Sequence, residues 1–274
     1  MDRPEVPATS RPNPEHPAGM MRGEAPWALA VGDNTELRGF RRPGDAERCG
    51  VFIHGFRSHC DGEKSRQLST TAGLHRWPWL RFDQRGCGAS DGEFRRFTVS
   101  GAVEDLNRVL VSIGAGSYIL VGSSLGALIA LHAARDARQP IDGLVLVAPA
   151  LRFADRFIHD HLDERDLDDW RRRGYRWFPD LYGGGCYRLD YGFCADALRY
   201  REPPLTLPCP LRVLHGTRDE LLPLDDTLEW TARVDSPGLG LEIVDGGDHR
   251  LSGWSEFIAR QTESLWNETR HTCA

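Results

Sequence analysis

The segment Gly122-Ser123-Ser124-Leu125-Gly126 constrains the fold more than any other part of this chain. It follows a short apolar run, Tyr118-Ile119-Leu120-Val121, and opens the helix-like stretch Ala127-Leu128-Ile129-Ala130-Leu131-His132-Ala133-Ala134. A G-x-S-x-G word between a strand and a helix is the sequence form of a nucleophile elbow. The turn is sharp enough to strain the backbone of the serine, a state kept only where function requires it. A Cβ at either flanking glycine would collide with the neighbouring strand or helix. Ser124 is therefore expected to point its hydroxyl outward at the carboxyl end of a sheet, with Ser123 a structural hydroxyl. Bare G-x-S-x-G words recur by chance, so an ordinary turn serine is the competing reading and the flanking strand and helix carry the argument.

Two further residues follow in a meaningful order. Leu211-Arg212-Val213-Leu214-His215-Gly216 reads as a buried strand ending in a tight turn, with Asp219 just after it. Leu241-Glu242-Ile243-Val244 reads as the next strand, and Gly246-Gly247 leads to His249. Serine, acid, histidine is one of three known chain orders of a hydrolytic triad. Each residue falls just after a strand, where loops on a parallel sheet hold reactive groups. Asp225 and Asp226 compete for the acid, but only Asp219 directly follows the strand-ending His-Gly turn. An acid after the preceding strand is excluded, because Val147-Ala148-Pro149-Ala150 offers none. Among the other histidines, His54 and His215 precede glycines at strand ends and read as loop-holding. His132 reads as packed or surface, and His59 and His75 have no evident partner.

Elsewhere, strands are expected at Val51-Phe52-Ile53-His54, Trp79-Leu80-Arg81-Phe82 and Ile141 to Val147, with one or two leading strands between Trp27 and Arg41. Helices are expected from Glu63 to His75, from Thr98 to Ile113 with Thr98 as cap, and from Trp254 to Trp266. Alternating strands and helices argue for a mostly parallel central sheet with helices on both faces. From about Leu151 to Leu207 this rhythm fails. That stretch is dense in aromatics (Phe153, Phe157, Trp170, Tyr175, Trp177, Phe178, Tyr182, Tyr187, Tyr191, Phe193) and sits where an inserted lid would cover Ser124. Its rings are an acyl pocket or the lid's own core, two readings the sequence leaves open.

A chain of 274 residues, 40% hydrophobic, can bury one sizeable α/β core, so a single domain over 27–270 with a lid at 151–207 is expected. A net charge of −6 argues against a nucleic-acid surface and gives no reason for an anionic membrane partner. Seven cysteines, spread from Cys49 to Cys273 without C-x-x-C spacing, favour reduced thiols over disulfides or zinc. Residues 1–26 are rich in Pro, Glu, Arg and Asn without an apolar signal core, so a disordered tail is expected, with Met20 or Met21 an alternative start. No apolar run is long enough to span a bilayer. The expectation is a cytoplasmic protein of undetermined oligomeric state, with no membrane partner and no metal or other cofactor.

The words Phe52-Ile53-His54-Gly55-Phe56, Arg81-Phe82-Asp83-Gln84-Arg85-Gly86-Cys87-Gly88-Ala89-Ser90-Asp91-Gly92, Val121-Gly122-Ser123-Ser124-Leu125-Gly126, Leu214-His215-Gly216-Thr217-Arg218-Asp219 and Asp248-His249-Arg250 resemble the α/β-hydrolase superfamily. The likeness runs from Leu37 to Trp266. Within the superfamily the chain is most similar to the branch of palmitoyl-protein thioesterases and acyl-glucuronide esterases, with its bacterial relatives. The resemblance implies an α/β-hydrolase fold with a small helical lid, Ser124 as nucleophile, Asp219 as orienting acid and His249 as general base. It also implies that the backbone N–H groups of Phe56 and Leu125 form the oxyanion hole. The branch is mitochondrial; this chain has no Arg- and Ser-rich amphipathic presequence, so that location is not carried over.

Such a site would cleave a carboxylic ester or thioester through an acyl-enzyme on Ser124. Fatty acyl or aryl acyl groups are the expected cargo, on a small molecule or on an acylated protein. A serine at the elbow argues against relatives that attack with a carboxylate. The rivals are an amide-cleaving serine peptidase and a non-catalytic small-molecule binding protein on the same scaffold. The glycines after Asp83 lack the lysine of a phosphate loop and read as a shaped structural turn. Cys60 and Cys87 read as inert.

Overall fold

The computed structural model describes residues 19–269 except 33, 137, 161 and 181–184. Ten strands are described: β1 (Ala25–Ala30), β2 (Glu36–Arg42), β3 (Arg48–Ile53), β4 (Trp79–Phe82), β5 (Ser117–Ser123), β6 (Ile141–Val147), β7 (Tyr175–Pro179), β8 (Cys186–Asp190), β9 (Leu211–Gly216) and β10 (Leu239–Val244). Seven α-helices connect them: α1 (Glu63–Leu74), α2 (Val99–Ile113), α3 (Leu125–Arg135), α4 (Glu164–Arg173), α5 (Tyr191–Ala197), α6 (Leu224–Thr231) and α7 (Ser255–Glu268). Eight strands form one sheet in the order β1-β2-β4-β3-β5-β6-β9-β10. β2 runs antiparallel to β1 and to β4, and the remaining pairs are parallel.

The central strands are buried along nearly their whole length rather than alternating, because helices cover both faces. β5 is buried at every residue after Ser117 and β6 at all but Asp142. On one face, α2 and α3 pack with the lid around Leu106, Leu128 and Leu146. On the other, α1 and α7 pack around Trp79, Val145 and Trp266. The Thr98 side chain caps α2 by accepting from the Gly101 N–H at 3.1 Å, and Gly114 ends it in a left-handed turn at φ 67°. Register aligns Ile53 with Gly122, Ser123 with Val147, and Val147 with Leu214. The carboxyl ends of β3, β5, β6 and β9 therefore open onto one edge, and the site lies there.

The insertion between β6 and β9 contains the expected helices, as α4 and α5, together with an antiparallel hairpin of β7 and β8. β-propensity explains the hairpin. Tyr175-Arg176-Trp177-Phe178 alternates about the pleat, so Phe178 is buried while Trp177 is exposed. Phe178 lies opposite Tyr187 with ring centroids 5.7 Å apart, and the Arg188 guanidinium covers the Tyr175 ring. Tyr182, counted among the lid aromatics, is outside the described residues.

The N-terminal boundary differs from the expected one. Residues 1–18 lie outside the described part, but residues 19–26, assigned to the tail, are built into the fold, and β1 begins at Ala25. The cause is Arg81, whose side chain is 0% exposed in β4 and needs a counter-ion. Glu24 supplies it at 2.6 Å, and Asp61 adds a second contact at 3.0 Å. Burial raises the pKa of Glu24, but hydrogen bonds from Arg81, Ser69 and the Met21 N–H outweigh it and leave the pKa below the usual glutamate value. A carboxyl with a lowered folded pKa stabilises above its unfolded pKa and loses that contribution as pH falls through the folded one. Glu24→Ala is therefore expected to cost about 3 kcal/mol by leaving Arg81 without its closest partner. Urea melts at pH 7 measure this, and the deficit relative to the parent should shrink as the medium is acidified through the carboxylate range.

Candidate active site

Ser124 lies between β5 and α3 with φ 55° and ψ −120°, a conformation outside the regions L-residues favour. Its N–H donates to the Val147 carbonyl at 2.8 Å, and its own carbonyl accepts from Ala127 and Ala150 at 3.0 and 3.2 Å. The elbow glycines are needed where they stand. A Cβ on Gly122 would lie 2.5 Å from the Ala127 Cα, and one on Gly126 would lie 2.2 Å from the Ile53 carbonyl oxygen. Gly55 lies close against the serine: a Cβ there would sit 3.1 Å from the Ser124 Cβ and 3.2 Å from the Ser123 carbonyl oxygen.

The loops after β9 and β10 bring in the other two groups. Ser124 Oγ lies 3.1 Å from His249 Nε2, and His249 Nδ1 lies 2.7 Å from Asp219 Oδ2. With Nδ1–H donating to the carboxylate, Nε2 is left as acceptor for the serine proton. The His249 side chain is 16% exposed and that of Asp219 is 0%. Asp219 Oδ1 accepts from the Leu221 and Leu222 amides at 2.9 and 2.8 Å. Burial would raise its pKa, but hydrogen bonds from His215, His249 and the Leu222 amide hold it well below the usual carboxylate range.

The two loops are knitted together. Arg218 N–H donates to the Gly247 carbonyl at 2.9 Å, and Gly246 N–H donates to Thr217 Oγ1 at 2.8 Å. Lys64 Nζ donates to the Arg250 carbonyl at 2.6 Å, which ties the histidine loop to the start of α1. Donor geometry is thus set before a ligand arrives.

Phe56 follows Gly55 in the loop after β3, and Leu125 heads α3 directly after Ser124. The Leu125 amide adjoins the serine on the chain and Phe56 follows the glycine that lies against it, and neither amide donates to a side chain or a loop carbonyl among the described residues. Asp226 is held by Arg156 at 2.7 Å, and Asp225 lies in the first turn of α6, so neither candidate acid partners His249. His54 is buried: Gln84 N–H donates to its Nε2 at 2.9 Å, while Nδ1–H donates to the Gly55 carbonyl at 2.8 Å. His132 packs edge-on against Tyr200, and burial lowers its pKa to about 4. His75 pairs with Glu263, and His59 Nδ1 accepts from the Asp61 N–H. His16, His161 and His271 lie outside the described residues.

Three contributors escaped the sequence reading. His215, read as loop-holding, also faces Asp219 Oδ2 at 3.2 Å, with Thr227 Oγ1 donating to its other nitrogen at 2.8 Å. Only the i, i+4 spacing of His215 and Asp219 hinted at this. Gly55 lets the loop after β3 lie close against Ser124. Arg57, at φ 52°, ties the loop after β3 to the lid by pairing with Asp180 at 2.9 Å and covering the Tyr187 ring at 4.0 Å.

The turn after Asp83 is structural. Its carboxylate accepts from the Cys60 and Ala89 amides at 2.6 and 2.8 Å. Cys87 beside it is buried, which pushes its thiol up to about 12, and burial raises Cys60 as well. Among the described residues no three His, Cys, Asp or Glu side chains gather to hold a metal, and no helix is long and apolar enough to cross a membrane.

A mostly parallel sheet whose carboxyl edge carries a serine at an elbow, a histidine and a buried acid is the framework of a hydrolytic enzyme. The chain belongs to the alpha/beta hydrolase family, whose sequence model matches residues 51–259. It is similar to the mouse palmitoyl-protein thioesterase ABHD10, mitochondrial, with 31% identity over 206 residues that cover 73% of this chain and 68% of the relative. The solved mouse alpha/beta hydrolase domain-containing protein 10 superposes with a TM-score of 0.78 at 26% identity, covering 89% of this chain and 99% of that one. Est1E from Butyrivibrio proteoclasticus, solved with ferulic acid bound, shares the fold with a TM-score of 0.71 at 20% identity, over 89% of this chain and 98% of its own. The protein is a hydrolase.

Proposed function

We propose that this hydrolase cleaves carboxylic ester or thioester bonds through an acyl-enzyme on Ser124, with His249 as general base, Asp219 as the orienting acid and no cofactor. One observation carries the reading: a single imidazole bridges a buried carboxylate at 2.7 Å and the elbow hydroxyl at 3.1 Å. As Ser124 Oγ attacks the acyl carbon, its proton passes to His249 Nε2, and Asp219 stabilises the imidazolium. The negative oxygen of the tetrahedral intermediate is held by the Phe56 and Leu125 N–H groups. Collapse expels an alkoxide or thiolate that takes the proton from His249. Water then attacks the acyl-enzyme, gives its proton to His249, and the acid leaves as Ser124 regains its hydrogen.

The mouse relative is named as a palmitoyl-protein thioesterase, which favours an acyl thioester or ester over an amide. Fatty acyl and aryl acyl groups are the proposed cargo, small-molecule esters and thioesters the first substrate class and acylated protein the second. The proposed compartment is the cytosol. Free cysteines at six described positions, five of them buried, support a reducing one.

A fluorophosphonate probe tests the reading against a non-catalytic binding protein. The parent should label, and Ser124→Ala should not. A folded parent that fails to label overturns the reading. Turnover of p-nitrophenyl acyl esters or acyl-CoA, with none of aminoacyl amides, separates it from a peptidase.

A further inference from the structure

Aromatic rings pack around the residue that follows the glycine abutting Ser124. Phe56, one residue beyond the glycine that abuts the nucleophile, has Phe94, Phe153, Phe157 and Phe193 around it at 5.1, 5.5, 5.6 and 5.6 Å. The lid segment is pinned to the same place, because the Ala150 N–H donates to the Ser124 carbonyl. His249 occupies one side of Ser124 Oγ at 3.1 Å, and the rings packed around Phe56 are the apolar surface that an acyl chain there would meet.

Phe157 combines two features. It sits on a π-helical turn, Asp155–His159, a backbone form that gathers at functional sites. Its ring is also half-buried and joins separate pieces, stacking on Phe153 at 5.5 Å and meeting Phe178 of β7 at 5.1 Å and Phe193 of α5 at 5.4 Å. The residues before it are clamped from outside: Arg156 grips Asp226 at 2.7 and 2.8 Å, and Asp155 accepts from Arg201 at 2.6 Å. Those ion pairs hold the turn in place independently of the ring, so trimming the ring leaves a void rather than a collapse.

Resting on the ester and thioester reading above, we propose that Phe157 is the residue that sets acyl length, closing the acyl site so that short acyl or flat aryl groups fit and longer chains do not. In the parent, kcat/KM for p-nitrophenyl esters should then fall between butyrate and decanoate. Phe157→Ala should raise the decanoate-to-butyrate ratio on the order of 50-fold, since each newly buried methylene is worth about fourfold, and Phe157→Leu should fall between the two. Labelling by a small fluorophosphonate, run on every variant, reports the nucleophile separately. A parent that does not label sinks the hydrolytic reading. Variants that label but keep the parent's ratio sink the Phe157 assignment, as does a parent that takes decanoate as well as butyrate. If Phe157→Ala does not fold, Phe157→Leu decides alone by the same ratio.

Discussion

Ser124→Ala is expected to lower kcat on a p-nitrophenyl acyl ester by about 10⁶-fold, and His249→Ala by a similar factor. The double variant should be no slower than either single one. The imidazole at 3.1 Å from Oγ has no proton to take once the hydroxyl is gone, and the hydroxyl is a weak nucleophile without the imidazole. Losses that multiplied would mean the two side chains act independently, and the proton relay drawn here would be wrong. A residual rate about 10³-fold above water should survive in all three, because amide donors still receive the oxyanion. Melting curves check the fold. Alanine inherits the strained φ of 55° unchanged, so no large shift in stability should accompany the loss of rate.

The parts of the fold legible in the sequence are those whose signal is local. β3 and β6 stand where the runs Val51-Phe52-Ile53 and Leu144-Val145-Leu146-Val147 placed them, since strands buried on both faces read as apolar runs rather than as an alternation. Thr98 caps α2 because a hydroxyl at that point satisfies an amide the helix cannot. The elbow was legible for a steric reason, as Gly122 and Gly126, two residues either side of Ser124, sit against neighbouring backbone and leave few other turns possible. What escaped depends on distant partners. Nothing near Glu24 announces Arg81, 57 residues away, and so the tail was drawn too long. α6 begins at Leu224 behind Pro223 with few apolar residues, and its place comes from Thr227 and Trp230 packing inward. The β7–β8 hairpin hid among aromatics that suit a strand or a lid core equally. For the site, chain order named the serine, acid and histidine because each follows its own strand. The distances among them, and the approach of His215 to Asp219, depend on sheet order, which local pattern does not encode.

Asp219→Asn is the sharpest test of the acid, with an expected loss of about 10⁴-fold in kcat. The Leu221 and Leu222 amides both donate to Oδ1, so the asparagine carbonyl must take that position and its NH₂ must face His249 and His215. His249 Nδ1 would then have to accept, which places its hydrogen on Nε2 and leaves no lone pair for the serine proton. The His215 N–H, now opposed by a second donor, should cost a further 1–3 kcal/mol of stability, roughly the penalty for an unsatisfied buried group. pH gives a second readout. The Asp219 carboxyl has its pKa lowered in the folded state, so its contribution to stability is present above the unfolded carboxylate pKa and disappears as pH falls through the lowered value. Asp219→Asn should remove that acid limb from a plot of unfolding free energy against pH, whereas Asp225→Asn should leave both that limb and the turnover close to the parent's. A comparable loss of rate in Asp225→Asn would move the acid into α6 and break the bridge through His249 on which the proposed chemistry depends.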